Sequence, residues 1–209
     1  MRGRRYAGPR FIRLLAAVTL WTGIVAAVWG VAYAINGATQ APAEVTVPVS
    51  LVGFADPEQV YRGVRLPDEA TLRPASGVAH LVAQGSTIPE QLLARGDVAV
   101  TGLCLGAGAL LVHGLFLSVL YGEPFRSGNA GRIAGLAGLV AVSGVGGTLP
   151  HVSTSLVLAR LRLDPSHQAE MPIPFAHIAV ALLLLVLAEA FRQGGRLVRG
   201  LEEKGADPV

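Results

Sequence analysis

Three histidines lie inside long apolar runs of this chain, His113, His151 and His177, and they are the residues whose surroundings make chemistry conceivable. His151 follows Pro150 near the end of the third run, and His177 sits about one turn into the fourth, so the two are placed to share a level. Two inward histidines on neighbouring helices form the axial ligand set of a haem b, and an imidazole also hydrogen-bonds a quinone. Ionisable groups at membrane depth are functional candidates by default. The plainer reading is that each imidazole bonds a helix carbonyl or sits at the wet interface. Transmembrane cytochromes repeat spaced histidines, and a single pair is a much weaker signal. The sequence therefore assigns no cofactor.

Other reactive groups are scattered. Cys104 is the only cysteine and lies within an apolar run, so it reads as a small packing residue. No intramolecular disulfide and no cysteine-based metal motif can form around a lone thiol. His80 has no acid or second histidine at ligand spacing, and no metal site is expected. Glu189, Arg192 and Arg196 fall at i, i+3 and i+7, the pattern of a solvated ion-pair face. There is no P-loop, no paired intramembrane carboxylate, and no nucleophile–base–acid set in a known motif context. The expectation is that the chain is not an enzyme.

The elements that must carry these residues are membrane helices. Leu14–Ala34, Val98–Tyr121, Ile133–Ala159 and Ile173–Phe191 each match the ~20 helical residues needed to cross a ~30 Å hydrocarbon core. Apolar residues make up 52% of the 209 and charged residues 15%, against about 25% in an ordinary soluble domain. Mean hydropathy is +0.52. A pI near 9.5 could suggest nucleic acid. The bases, however, are not grouped on a soluble domain or interleaved with exposed aromatics, which excludes that partner. The first run holds 21 uncharged residues, longer than the 7–15 of a signal-peptide core, so it is read as a retained helix.

The fold class read from these features is an all-α integral membrane protein. Four transmembrane helices carry a small, partly β extracytoplasmic loop domain between helices 1 and 2. The divisions are a basic N-terminus (1–13), helix 1 (14–35), the cap (36–97), helix 2 (98–121), a turn (122–132), helix 3 (133–159, kinked near 144–150), a loop (160–172), helix 4 (173–191) and a tail (192–209). Arg2, Arg4, Arg5, Arg10 and Arg13 precede the first helix. Counting basic residues by side gives eleven with both termini and the 122–132 turn against six on the other side. Both termini are thus expected to be cytoplasmic, in a bacterial inner membrane.

Within the cap, Glu44–Leu51 alternates polar and apolar as a half-buried strand does, with Pro48 marking it as an edge. Gly63–Leu66 and Val78–Ala83 are further short strand candidates. Thr87-Ile-Pro-Glu90 reads as a capping box starting a short helix to Arg95. Sixty residues without a disulfide bury little core, so the cap is expected to lean on helix ends or a partner.

Glycines carry the helix packing. Gly102 and Gly106 form a small-xxx-small pair, and Gly131, Gly135 and Gly138 give the third helix a flat stripe, the device by which backbones approach closely in lipid. Gly144, Gly146, Gly147 and Pro150 mark the kink.

The turn between helices 2 and 3 reads Tyr121-Gly-Glu-Pro-Phe-Arg-Ser-Gly-Asn-Ala-Gly-Arg132. Gly122 and Pro124 enforce a tight exit, Phe125 returns to the interface, Asn129 with Ser127 caps the next helix, and Arg126 and Arg132 reach anionic headgroups. This segment resembles the "G-x-P-F … N … R" turn of a bacterial four-helix membrane family, the domain-of-unknown-function family numbered 2975. The end of helix 4, Leu187-Ala-Glu-Ala-Phe-Arg-Gln-Gly-Gly-Arg-Leu197, is similar to that family's "F-R-x-G-x-x-L" exit. Helix spacing and the long first loop match as well, while the tail from Glu202 is shorter and more polar than the family's usual acidic and apolar ending. The resemblance implies an integral membrane protein with no established activity. It also implies a regulatory or sensing role, since members often accompany small helix-turn-helix regulators.

Three functions are compatible with these features. The first is a non-enzymatic accessory or regulatory subunit. It would have membrane lipids, a membrane protein partner or homo-oligomer, and a cytoplasmic regulator as partners, with Gly122, Pro124, Phe125, Asn129 and Arg132 as the partner-binding or structural turn. The second is a small-molecule, lipid, quinone or haem-binding protein that uses His151 and His177. The third, a transporter, would need internal repeats or more intramembrane polar groups.

Overall fold

In the computed structural model, residues 8–51, 68, 70–75, 78–162, 167–168 and 173–205 are described. Their order is α1 (Pro9–Thr39), β1 (Val45–Leu51), β2 (Ala70–Ala75), β3 (Val78–Ala83), α2 (Ile88–Ala94), α3 (Gly96–Leu120), α4 (Ser127–Gly146), α5 (Leu149–Leu161), β4 (His167–Gln168) and α6 (Phe175–Gly205). The chain is mostly helical. Among the described residues, four helical stretches are long and apolar enough to cross a membrane: α1, α3, α4 with α5, and the first 26 residues of α6. Between 11 and 22% of each apolar window is buried inside the structure. Side chains such as Trp21, Val25, Trp29, Leu183 and Val186 face outward. An apolar surface of that extent suits lipid and not water.

The helices run past the ends of the apolar runs. α1 starts five residues early because Pro9 pre-sets the first helical turn, with Phe11 N–H bonded to the Gly8 carbonyl at 3.0 Å. It also continues to Thr39, where Thr39 Oγ1 donates to the Asn36 carbonyl at 2.7 Å. α6 continues to Gly205, its charged stretch bearing the Arg192–Glu189 ion pair. Charge ends a hydropathy window without ending a helix.

The chain divides into two compact units. One comprises 1–28, 102–144 and 175–209; the other comprises 29–101 and 145–174. In the first, α1 meets α3 through glycine. A Cβ on Gly106 would stand 2.8 Å from Ala27 Cβ and 3.2 Å from the Gly23 carbonyl oxygen, so neither helix has room for a larger residue there. Gly135 on α4 faces Leu111 of α3, where a Cβ would lie 3.0 Å from Leu111 Cδ1.

The second unit holds a four-stranded antiparallel sheet of order β2-β3-β1-β4. Val45, Val47 and Val49 alternate onto one face and join Leu81, Ala79, Ala83, Ala70 and Val157 of α5 in a single core. Leu158 and Leu161 pack against it. Each fully buried Val or Leu contributes about 1.5–3 kcal/mol. α5 is tied to β1 by Thr154 Oγ1, which donates to the Pro48 carbonyl at 2.8 Å.

Two expectations change here and one gains detail. The run 133–159 lies within one candidate span, 127–161, and is interrupted inside the 144–150 stretch where a kink is expected. Residues 147–148 break it, and α5 belongs to the sheet-bearing unit; α4 alone, at 20 residues, rises ~30 Å. β1 is an interior strand and not an edge, paired with β3 on one side and β4 on the other. Among the described residues β4 pairs with Ser50 and Leu51. The sheet also takes β4 from the 160–172 loop, so it is not built from the first loop alone. The strand expected at 63–66 lies outside the described residues.

α2 opens with the expected capping box. Thr87 Oγ1 accepts from Glu90 N–H, and Glu90 Oε2 accepts from Thr87 N–H at 2.8 Å. Glu90 is buried and its other carboxylate oxygen takes the Arg160 Nε–H of α5 at 3.0 Å. Ser153 Oγ donates to the Glu90 carbonyl at 2.8 Å, so one residue fastens α2 to α5 twice.

Candidate functional site

The residues quoted for the α3–α4 turn converge in one network inside the helical unit. Leu120 ends α3, and Gly122 follows at φ +79, the left-handed conformation that glycine adopts without a Cβ penalty. Gly122 N–H reaches the Val119 carbonyl at 3.1 Å and Glu123 N–H the Ser118 carbonyl at 2.9 Å. These paired bonds make a Schellman cap, which satisfies the orphan carbonyls of the last turn.

Asn129 is 1% exposed. Its Nδ2 donates to Ser118 Oγ at 2.6 Å and to the Pro124 carbonyl at 2.9 Å. Its Oδ1 accepts from Arg132 Nη1 at 2.8 Å, and the same Nη1 donates to the Gly114 carbonyl at 3.0 Å. Asn129 therefore clamps the turn from within α4 and does not cap that helix, because its side chain points back toward α3. Arg132 is likewise turned inward, its Nη1 on a helix carbonyl, while Arg126 is exposed. Gly114 makes room for the guanidinium, since a Cβ there would sit 2.9 Å from Arg132 Cζ.

Phe125 links the turn to α6. Its ring lies 5.4 Å from that of Phe191 at 44°, a tilted pair. Gly194 and Gly195 admit it: a Cβ at either would come within 2.9 Å of the Phe125 ring or carbonyl oxygen. Phe125 keeps 44% of its surface exposed, and Tyr121 is 73% exposed. The two sequence motifs, far apart in the chain, thus pack on each other. Ser118 and the α6 glycines escaped the sequence reading as members of this site, and the small-residue pair preceding Arg196 was the one signal available for the latter.

The histidines do other things. His113 Nδ1 lies 3.2 Å from the Ala16 carbonyl of α1, an interhelical bond with the ring tautomer set by its partner. His151 belongs to the sheet-bearing unit, with Nδ1 shielded from solvent and without a hydrogen-bond partner; His177, in the first turn of α6, is exposed and belongs to the other unit. No group of three or more His, Cys, Asp or Glu among the described residues is arranged to hold a metal ion. Gly102 is buried, as a packing residue should be, whereas nothing lies within 4 Å of a Cβ built on Gly138 or Gly131. The α4 stripe therefore packs through Gly135 alone, because the other two glycines face away from α3 and α6. No family model, curated protein or solved structure matches this chain.

Proposed function

We propose that this chain is a bacterial inner-membrane protein with both termini cytoplasmic. It has no turnover of its own and serves as an accessory or regulatory subunit through protein–protein contacts. The observation that carries this reading is the clamped turn. Ser118, Asn129 and Arg132 are engaged in internal bonds, and the turn presents Tyr121, Glu123, Phe125 and Arg126 outward. Aromatic residues and arginine on a rigid scaffold are the residue types enriched at protein interfaces, and rigidity lowers the ordering cost of association. A sensing role is the one that the resemblance to the family numbered 2975 implies, and the two segments that carry the resemblance pack on each other through Phe125, Phe191, Gly194 and Gly195.

The test is genetic and biochemical together. Deleting the gene should change the abundance or size of one membrane complex. Wild-type chain should restore it, and Tyr121→Ala with Arg126→Ala should not, although that variant inserts and melts as wild type. Turnover of a substrate by the reconstituted protein alone would overturn the reading. So would full rescue by the double variant. A haem spectrum abolished by His151→Ala or His177→Ala would instead establish a ligand-binding function.

A further inference from the structure

The short helix α2 is turned inside out. Glu90 and Gln91, its polar side chains, are 2% and 1% exposed, whereas the apolar Ile88 and Leu92 are 55% and 40% exposed. Ile88 and Leu92 lie one helical turn apart on a single face, with the exposed Pro89 beside them. Hydrogen bonds hold this orientation. Glu90 accepts from Arg160 Nε–H and Thr87 N–H. Gln91 Nε2 donates to the Glu44 carbonyl at 3.0 Å and to Ser86 Oγ at 2.8 Å, and that hydroxyl donates to the Ala43 carbonyl at 2.7 Å. Rotating Ile88 and Leu92 inward would break these bonds, so the apolar face stays out.

A single exposed leucine is ordinary on a protein surface, but a helix that buries a carboxylate and an amide while facing outward with isoleucine, proline and leucine reverses the pattern of a helix in water. Such a face suits an apolar surrounding, and the position of α2 says which one. Arg95 alone separates it from α3, whose apolar run opens at Val98 and whose Leu103 and Leu105 also face outward. The Arg95 guanidinium carbon lies 5.4 Å from the centre of the Tyr33 ring, near the end of the apolar run of α1. Tyrosine and arginine at the ends of spans mark the headgroup level, the ring and the alkyl stem toward the chains and the polar tips toward water. No charged side chain stands beside Ile88, Pro89 and Leu92 on the outer face of α2.

We propose that α2 is a membrane-surface contact, its Ile88, Pro89 and Leu92 inserted among the lipids at the level of Tyr33 and Arg95. Helices of this kind bury their apolar side ~5–10 Å into the boundary between headgroups and acyl chains. The inference rests on the reading of the chain as a four-span membrane protein and adds to it a second, in-plane attachment. The sheet-bearing unit is then held to the bilayer by α2 as well as by the ends of α1 and α3. Lipid is the occupant because the face continues, across one residue, into the outward side of a helix long enough to cross a membrane.

Fluorescence quenching of the full chain in nanodiscs provides the test. In a Cys104→Ala background, an environment-sensitive thiol dye is attached at Ile88→Cys or Leu92→Cys, and at Leu105→Cys as the marker of a span. The nanodiscs are phosphatidylcholine with phosphatidylglycerol and contain a lipid bearing a nitroxide at the headgroup or near the end of the acyl chain; iodide is the quencher from water. Each labelled chain should melt as the unlabelled one in detergent, since Ile88 and Leu92 point away from the packed interior. Dye at Ile88 and at Leu92 should lose its emission to the headgroup nitroxide and be shielded from iodide, while dye at Leu105 should lose it to the chain nitroxide. Quenching of both α2 positions by iodide alone, with Leu105 still reached by the chain nitroxide, would overturn the proposal and leave the membrane reading standing. Failure of both nitroxides to reach Leu105 would overturn the two together. Dye on α2 shielded from iodide and from both nitroxides would give this face to a protein partner or a second copy of the chain, and would refute the lipid contact.

Discussion

Asn129 makes three hydrogen bonds with one buried amide, and each serves a different neighbour: a side chain of α3, a carbonyl of the turn and an arginine of its own helix. Replacing it with leucine of similar size leaves the Pro124 carbonyl and part of Arg132 without their partners. Since an orphaned buried group costs about 1–3 kcal/mol, Asn129→Leu should destabilise the helical unit by roughly 2–3 kcal/mol in a detergent unfolding titration. An unchanged midpoint would mean that water substitutes for the amide. Residue types in this turn were legible in the sequence, but their directions were not. A capping asparagine and a clamping asparagine have the same spacing, and only the path of the chain before Pro124 decides between them. Arg132 posed the same problem, because a basic residue near a helix end satisfies headgroups and helix carbonyls equally well on paper.

Glycine positions give the sharpest expectations for the helices. Gly106→Ile must displace Ala27 and the Gly23 backbone, and overpacking of that kind costs about 1–3 kcal/mol. Gly138→Ile meets open space and should shift the detergent melt by no more than about 0.5 kcal/mol. Equal effects would show that α1 and α3 do not pack through this contact. In the other unit, Glu90→Ala removes both the cap reciprocity of α2 and the acceptor for Arg160, leaving a partly buried cation unpaired. Loss of about 3 kcal/mol is expected for breaking such a pair, read as accelerated proteolysis within β1–β3 while α3 and α6 stay protected. Long apolar helices, the capping box and β3 were readable because each rests on local pattern. β4 was not, since two residues paired at the end of β1 carry no periodicity of their own. The assignment of α5 to the sheet was hidden for a related reason. An apolar face against a sheet and an apolar face against lipid look alike in hydropathy.

For the whole molecule, the distribution of arginine sets the expected topology. A reporter fused after Val209 should be cytoplasmic and one inserted near Ser76 external; both on one side would refute a four-pass arrangement. The protein was legible as a set of spans and much less so as a pair of compact units, because which residues cluster across sixty or more positions depends on contacts such as Thr154 with Pro48. Local sequence does not encode them.

The core of the sheet-bearing unit has an implication for biosynthesis. Val45, Val47, Val49 and Leu81 are all made well before Val157, the α5 residue that completes their cluster. At 5–20 residues per second, the ribosome needs on the order of ten seconds to travel from β3 to the end of α5. During that interval the finished strands present an uncovered apolar row. A nascent chain stalled after α3 should therefore be a client for chaperones or quality-control proteases, and release extending past β4 should end that vulnerability.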